Sequence, residues 1–185
     1  SKFFGDDRWG YFPSIGVGWV ISEESFMKNQ DLFNNLKLRA SWGKIGNASV
    51  PSNLSILRVT QTNQLSAIFN NAVYTGASIN TVVPPTTVWE KAVGTDIGVE
   101  ASMLKNKLFV EMDYYIKKTE QAIFDIPILG SVGTSSSSII GNQADFKNSG
   151  FEFSATWRDN ISKDLSYSIG GNLSINKNEV LSVTT

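Results

Sequence analysis

The chain has 185 residues, of which 41% are hydrophobic and 18% are charged, and 16 Lys+Arg nearly balance 17 Asp+Glu. That length suits one domain, and the balanced charge argues against a nucleic-acid partner. The chain contains no Cys and no His, which excludes disulfides, thiolate metal sites and histidine-dependent catalysis. We therefore predict neither an enzyme nor a cofactor or metal site.

Apolar and polar residues alternate in six stretches, which predicts six β-strands with one apolar and one polar face each. Each strand spans roughly 10 to 14 residues, about twice the usual length. The apolar faces, in chain order, are Ile15, Val17, Trp19 and Ile21; Leu36, Leu38, Ala40 and Trp42; Val93, Thr95, Ile97, Val99, Ala101 and Met103; Leu108, Val110, Met112, Tyr114 and Ile116; Phe151, Phe153, Ala155 and Trp157; Leu165, Tyr167, Ile169, Gly171, Leu173 and Ile175.

The predicted connections differ in length between the two ends of the strands. The third and fourth strands are joined through "LKNK" and the last two through "DNISKD", whereas the connections at about 47–91 and 120–148 are long. The first connection, "SEESFMKNQDLFNN", lies on the short side, and we expect one helical turn there, capped by Ser22 or Ser25. The Ser-rich "GSVGTSSSSIIGNQ" in the second long connection is typical of a mobile, solvated loop.

Alternation by itself does not separate a membrane barrel from a soluble β-sandwich, which has the same period. Three features favour the barrel: strands of about 9–11 residues or more, short turns at one end with long connections at the other, and aromatic residues near strand ends. In lipid the sheet must close to pair its backbone groups. Six strands are too few for closure, so we expect a piece of a longer chain. The aromatic residues are Trp9, Tyr11, Trp19, Trp42, Trp157 and Tyr167.

Several blocks together resemble one family. "RWGYFPSIGVGWVISEESFMK", "LKLRASWGKIGN", "WEKAVGTDIGVEASMLKNKLFVEMDYYIKKTEQAI", "NSGFEFSATW" and "INKNEV" are similar, in this order and spacing, to the C-terminal barrel of SusC/RagA-type TonB-dependent transporters of Bacteroidota. The resemblance covers most of the chain outside about 50–86 and 129–143. Its specificity comes from the combination of blocks.

The resemblance implies an all-β, antiparallel, up-and-down transmembrane barrel of roughly 22 strands, of which this chain supplies about six. Residues 1–185 are then a partial barrel domain in the cell outer membrane. The family's partners would be a SusD-like surface lipoprotein, TonB acting through a segment outside this sequence, and an imported oligosaccharide or peptide. No motif of the family fixes substrate residues here.

Charged residues on the predicted polar face are candidates for contact with a substrate or a plug. The alternative, which we favour, is a solvated wall whose charges pair with one another, because substitutions facing a barrel lumen tune selectivity but are rarely essential. Glu111 and Asp113 share this face, but no cleft supports an acid–base pair of the glycosidase kind. The candidates are Arg39, Asp96, Glu100, Glu111, Asp113, Glu152 and Arg158.

Three residues of the long connections are further candidates. Trp89 is suited either to stacking on a sugar or to anchoring at a membrane interface. Tyr74 and Asn142 either contact a ligand or lid protein or are simply exposed loop residues.

Two other functions stay open from the sequence. A secreted β-sandwich that binds carbohydrate predicts shorter strands and a second layer covering the apolar faces. A passive porin or adhesin barrel predicts the same strands without an upstream plug or TonB-contacting segment.

Overall fold

The computed structural model describes residues 5–50, 59–79, 87–129, 131 and 138–183. Within them, six strands form one antiparallel sheet and two form a separate hairpin. The hairpin consists of β3 (Val59–Phe69) and β4 (Ala72–Ile79). The sheet consists, in spatial order, of β1 (Ser14–Val20), β2 (Phe33–Asn47), β5 (Glu90–Met103), β6 (Leu108–Pro127), β7 (Ser138–Asn160) and β8 (Ser166–Val183).

Helical structure in the described residues is confined to short 3-10 turns. They span Gly5–Arg8, Ile21–Glu23 and Ser25–Met27, so no described helix is long and apolar enough to cross a bilayer. The expected helical turn between β1 and β2 is therefore present as two 3-10 turns. Neither Ser22 nor Ser25 caps it, because the residues at the cap positions are Val20 and Glu24, without a side-chain cap bond.

The strand register confirms the alternation predicted from sequence, but β1 has 7 residues and not the roughly 10 to 14 expected, because Ile21 begins a 3-10 turn. Directly opposed residues of neighbouring strands share a face, and the apolar residues oppose one another across the whole sheet. One such row crosses all six strands: Trp19, Leu38, Val99, Met112, Phe153 and Leu173. The adjacent row on the opposite face is polar: Gly18, Arg39, Gly98, Asp113, Glu152 and Ser174.

The apolar face is not covered by a second layer of the described chain. Val17 is 65% exposed, Ile97 54% and Leu173 55%. The buried hydrophobic residues in the described part are limited to Val50, Ala122 and Ala144, near the long connections. A β-sandwich would bury this face, so the sandwich interpretation is not supported.

The long connections contain more strand than the sequence predicted. β6 continues to Pro127 and β7 begins at Ser138, so their connection spans 128–137 and not 120–148. Residues 138–143 of the predicted mobile tract are strand, whereas 130 and 132–137 lie outside the described residues. The hairpin of β3 and β4 also occupies part of the connection expected at 47–91.

Local backbone features explain both differences. In β6 the register shifts between Thr119 and Ile123, and Gln121 has φ of 56°. A β-bulge adds a residue to one strand and breaks the period of two, so alternation ends there although the strand does not. In the hairpin, Asn70 and Asn71 have φ of 47° and 62°, which is the backbone of a two-residue turn with positive φ at both positions.

Candidate functional site on the polar face

Charged side chains of three adjacent strands meet on the polar face of the sheet. We name this group the polar-face cluster. It lies in the middle of the sheet, because the register aligns its members across β2, β5 and β6. Its members are Lys37, Arg39, Glu100, Glu111 and Asp113.

Arg39 is the centre of the polar-face cluster. Its Nη2 donates to both carboxylate oxygens of Asp113 at 2.7 Å and to Glu111 Oε1 at 2.8 Å. Its Nη1 lies 3.4 Å from Glu100 Oε1, and Lys37 Nζ lies 3.5 Å from Glu100 Oε2. Charge-assisted bonds from one guanidinium to several carboxylates fix the geometry as well as adding energy. The charges of the cluster therefore pair with one another.

Gly98 makes the central contact possible. It lies on β5 directly between Arg39 on β2 and Asp113 on β6. A Cβ at position 98 would lie 2.1 Å from Asp113 Oδ1 and 2.5 Å from Arg39 Nε. The Arg39 side chain thus crosses β5 through space that any other residue would fill.

Two further candidates, Asp96 and Glu152, lie on the same face beside the cluster. Glu152 lies on β7 and directly opposes Asp113 of β6, and Asp96 opposes Ser41 and Tyr115. Neither forms an ion pair with another described residue. They leave the middle of the polar face with a surplus of negative charge.

Arg158 is on the polar face but outside the cluster. Its guanidinium lies 4.9 Å from the centre of the Phe109 ring, a cation–π contact. Together with Glu100 and Glu111 it lines a shallow depression of about 450 Å³. A second depression, of about 480 Å³, is lined by Arg39, Asp113 and Glu152. Both are open and polar, which suits a water-filled surface.

Trp89 is separate from these charges. Its ring packs against Val50 and makes an edge-to-face contact with Phe12 at 5.4 Å between ring centres. Its indole N–H donates to the Asp7 carbonyl at 2.7 Å. The contacts place Trp89 in a small apolar cluster that ties the segment before β1 to the start of β5.

Asn142 lies within β7 and bonds to backbone groups on two other segments. Its Oδ1 accepts from the Val88 N–H at 2.9 Å, and its Nδ2 donates to the carbonyls of Val88 at 3.0 Å and Gln121 at 2.6 Å. The sequence predicts Asn142 as a loop residue. It lies in a strand instead, because the β-bulge interrupts the alternation by which that strand would be recognised. Tyr74, in contrast, is exposed in the hairpin, with its ring 5.9 Å from that of Phe69.

Two carboxylates that sequence reasoning missed complete this arrangement. Glu90 Oε2 accepts from the Ile123 N–H at 3.0 Å, and Asp145 Oδ1 accepts from the Gln121 N–H at 2.9 Å. The bulge leaves these N–H groups out of the regular ladder, and the side chains satisfy them. We name Glu90, Asn142 and Asp145 the bulge clamp.

The comparisons with known proteins agree with this geometry. The family model described as TonB dependent receptor-like, beta-barrel matches residues 1–182. The chain belongs to this family. The resemblance inferred from sequence and the all-β barrel fold are thereby confirmed.

Named members of the TonB-dependent receptor family are similar over nearly the whole chain. TonB-dependent receptor P26 of Formosa agariphila is 36% identical over 98% of this chain, which covers 18% of that protein. TonB-dependent receptor SusC of Bacteroides thetaiotaomicron is 29% identical over 100% of this chain, again covering 18% of the relative. The chain thus spans about a fifth of the length of these relatives.

Solved structures of TonB-dependent family members show the same fold. The RagAB peptide importer in its closed-closed state matches 100% of this chain and 20% of its own, with a TM-score of 0.87 and 26% identity. A further structure, of the RagAB peptide transporter, matches 98% of this chain and 19% of its own, with a TM-score of 0.85 and 25% identity.

Proposed function

We propose that this chain forms part of the wall of a TonB-dependent outer-membrane transporter that imports oligosaccharides or peptides. One observation carries the proposal: a continuous apolar face crosses six strands and is exposed, while the opposite face is polar and charged. Lipid on one side and water on the other is the environment that such a sheet requires.

The height of the apolar face agrees with a bilayer. On β6 it runs over residues 108–116, which is about 27 Å along the strand at ~3.4 Å per residue. With the usual tilt of 35–45° this corresponds to about 20 Å across the membrane, and the aromatic and polar ends extend it towards the roughly 25 Å band of known barrels.

The polar face would line the lumen. Internally paired charges keep the polar-face cluster rigid and hydrated, so we propose that it is wall lining and that Asp96 and Glu152 are the residues free to contact a plug or a passing substrate. The bulge clamp would then hold neighbouring strands of the wall together at the level where the long connections begin. Both roles are non-catalytic, and we propose that the protein is not an enzyme.

The partners follow from family membership. We propose that the complete protein works with a SusD-like surface lipoprotein and receives energy through TonB, using segments outside this sequence. Similarity to SusC supports the oligosaccharide class, and similarity to the RagAB peptide importer supports peptides as the second class.

Uptake by intact cells tests the proposal. Deleting the gene for the full-length protein should abolish growth on one glycan or peptide of a panel offered as sole nutrient. Expression of the intact gene should restore growth, and a version without the TonB-contacting segment should not. Restoration by that truncated version would indicate a passive barrel, and unimpaired growth on every nutrient would contradict an import role.

A further inference from the structure

The apolar face ends in lysines at the side of the long connections. Five strands each carry one lysine on the apolar face, just beyond the apolar residues at the end nearest the long connections; the strands are β2, β5, β6, β7 and β8. We name this group the lysine row. Its members are Lys44, Lys91, Lys118, Lys147 and Lys177.

The register shows that the lysines face the same way as the apolar residues. Lys44 and Lys118 both oppose Val93, and Lys147 opposes Lys118. Lys177 opposes Ser149, two residues from Lys147. The lysine row therefore lies on the outward face of the wall and not in the lumen.

Two lysines in the row oppose each other directly. Like charges at directly opposed positions destabilise a sheet, so the Lys118–Lys147 pair requires nearby anions. Glu120 lies 3.1 Å from Lys118, and Glu179 lies 3.7 Å from Lys147 and also contacts Lys177. Asp145 is a third carboxylate at the height of these lysines, and it accepts a hydrogen bond from the Gln121 N–H. Lysines still exceed carboxylates by two, and Lys44 and Lys91 pair with no described carboxylate.

The opposite end of the apolar face has a different chemistry. There the face ends in aromatic residues, including Trp157, whose indole donates to the Tyr167 hydroxyl at 3.2 Å. The nearby Lys107 and Asp159 neutralise each other at 2.8 Å. The two ends of the apolar face therefore differ: a row of lysines lies on the side of the long connections, and aromatic residues beside a neutralised Lys107 lie at the other end.

We propose that the lysine row binds phosphate groups of anionic lipid headgroups in the leaflet on the side of the long connections. Lysine stems lie along apolar surface while the ammonium groups extend to the headgroup level, and each lysine near an anionic membrane surface favours binding. On β6 the row begins two residues beyond Ile116, the last apolar residue of the alternating run before the bulge, which is where a membrane-facing strand would reach the headgroups. This inference rests on the membrane location proposed above.

Lipid retention by the full-length protein tests the proposal. The transporter is placed in nanodiscs of equal parts phosphatidylglycerol and phosphatidylcholine, and the lipids that remain bound are counted by native mass spectrometry. The double variant K118Q/K147Q should lose the preference for phosphatidylglycerol by about fivefold or more, and K118R/K147R should keep it. The variant K44Q/K91Q, which alters no observed ion pair, should also reduce it.

Lys117 provides the matched control. It neighbours Lys118 on β6 but lies on the polar face, opposite Gly94 and Asn148, so K117Q should leave lipid retention unchanged. Equal retention by K118Q/K147Q and the unaltered protein would overturn the proposal, as would an equal loss in K117Q. Displacement of the lipid by inorganic phosphate would identify a free-anion site instead. Failure of the unaltered protein to enter nanodiscs would contradict the membrane location itself.

Discussion

At the scale of single residues, Gly98 determines how the polar-face cluster is built. The sequence indicated correctly that Arg39 and the carboxylates share a face, because strand alternation requires it. It did not indicate which carboxylate Arg39 reaches, since that depends on the register of three strands and on the missing side chain at position 98.

Gly98→Ala should destabilise the protein by about 1–3 kcal/mol, the usual cost of inserting atoms into filled space. The new methyl group would displace Arg39 or Asp113. The free energy of unfolding in urea, measured for the full-length protein in lipid vesicles, checks this. Gly94→Ala is the control, because no atom lies within 4 Å of its added Cβ, and it should change stability by less than about 0.5 kcal/mol. Equal effects would contradict the role of Gly98.

Trp89 illustrates the limit of residue-level prediction. A tryptophan at the end of a long connection is compatible with a ligand site, an interface anchor or a packing residue. Its contacts with Val50, Phe12 and the Asp7 carbonyl come from segments that are distant in sequence. No local pattern contains that information.

At the scale of strands, the two faces should respond differently to the same substitution. Val99→Arg in the middle of the apolar face should cost about 2–4 kcal/mol, because lipid does not solvate a guanidinium. Ser41→Arg on the polar face should cost less than about 1 kcal/mol, since water and the opposing Asp96 favour the charge. Unfolding in lipid vesicles measures both, and equal losses would contradict lipid on the apolar face. Sequence alternation suggests Gly98 as the polar-face position, but its crowding makes Ser41 the better choice.

The bulge in β6 marks where strand prediction from sequence stops. Alternation before it predicted the strand faces correctly, and "LKNK" forms the β5–β6 connection as expected. The β7–β8 connection spans 161–165, so the first two residues of "DNISKD" belong to β7 and Leu165 belongs to the connection. Beyond Thr119 the period is interrupted, so the continuation of β6 and the beginning of β7 were assigned to a loop. The paired asparagines at the β3–β4 turn were the one local signal of the hairpin.

Asn142→Ala should release the start of β5 from β7. It removes three hydrogen bonds to the backbones of Val88 and Gln121, each worth about 0.5–1.5 kcal/mol. Hydrogen exchange followed by mass spectrometry should show at least tenfold faster exchange in peptides covering 87–89 and 121–123. Asn172→Ala, on the exposed polar face of β8, should leave exchange there unchanged. Unaltered exchange in Asn142→Ala would indicate that the ladder alone holds these segments.

At the scale of the whole molecule, the described sheet is open. β1 pairs with β2 alone, and β8 with β7 alone, among the described strands. Each outer edge therefore presents unpaired backbone groups, which favour aggregation in water and are not tolerated in lipid without a partner. Neighbouring strands from the remainder of a longer chain would satisfy both edges.

The isolated segment 1–185 should not behave as a soluble domain. Its exposed apolar face and two free edges predict aggregation when detergent is absent. Sedimentation after refolding in buffer should find the segment in the pellet, whereas the full-length protein in detergent should remain dispersed. A soluble, folded monomer of the segment in plain buffer would contradict the wall-like architecture.

The bulge clamp also defines how parts can be exchanged between relatives. Glu90, Asn142 and Asp145 sit on different strands from the backbone groups at 121–123 that they satisfy. A chimera that takes the β6–β7 connection from a relative must therefore include positions 121–145 as one unit and match residue 90. Among the described strands, β3 and β4 pair only with each other. The hairpin can therefore be replaced as one unit by the corresponding hairpin of a relative.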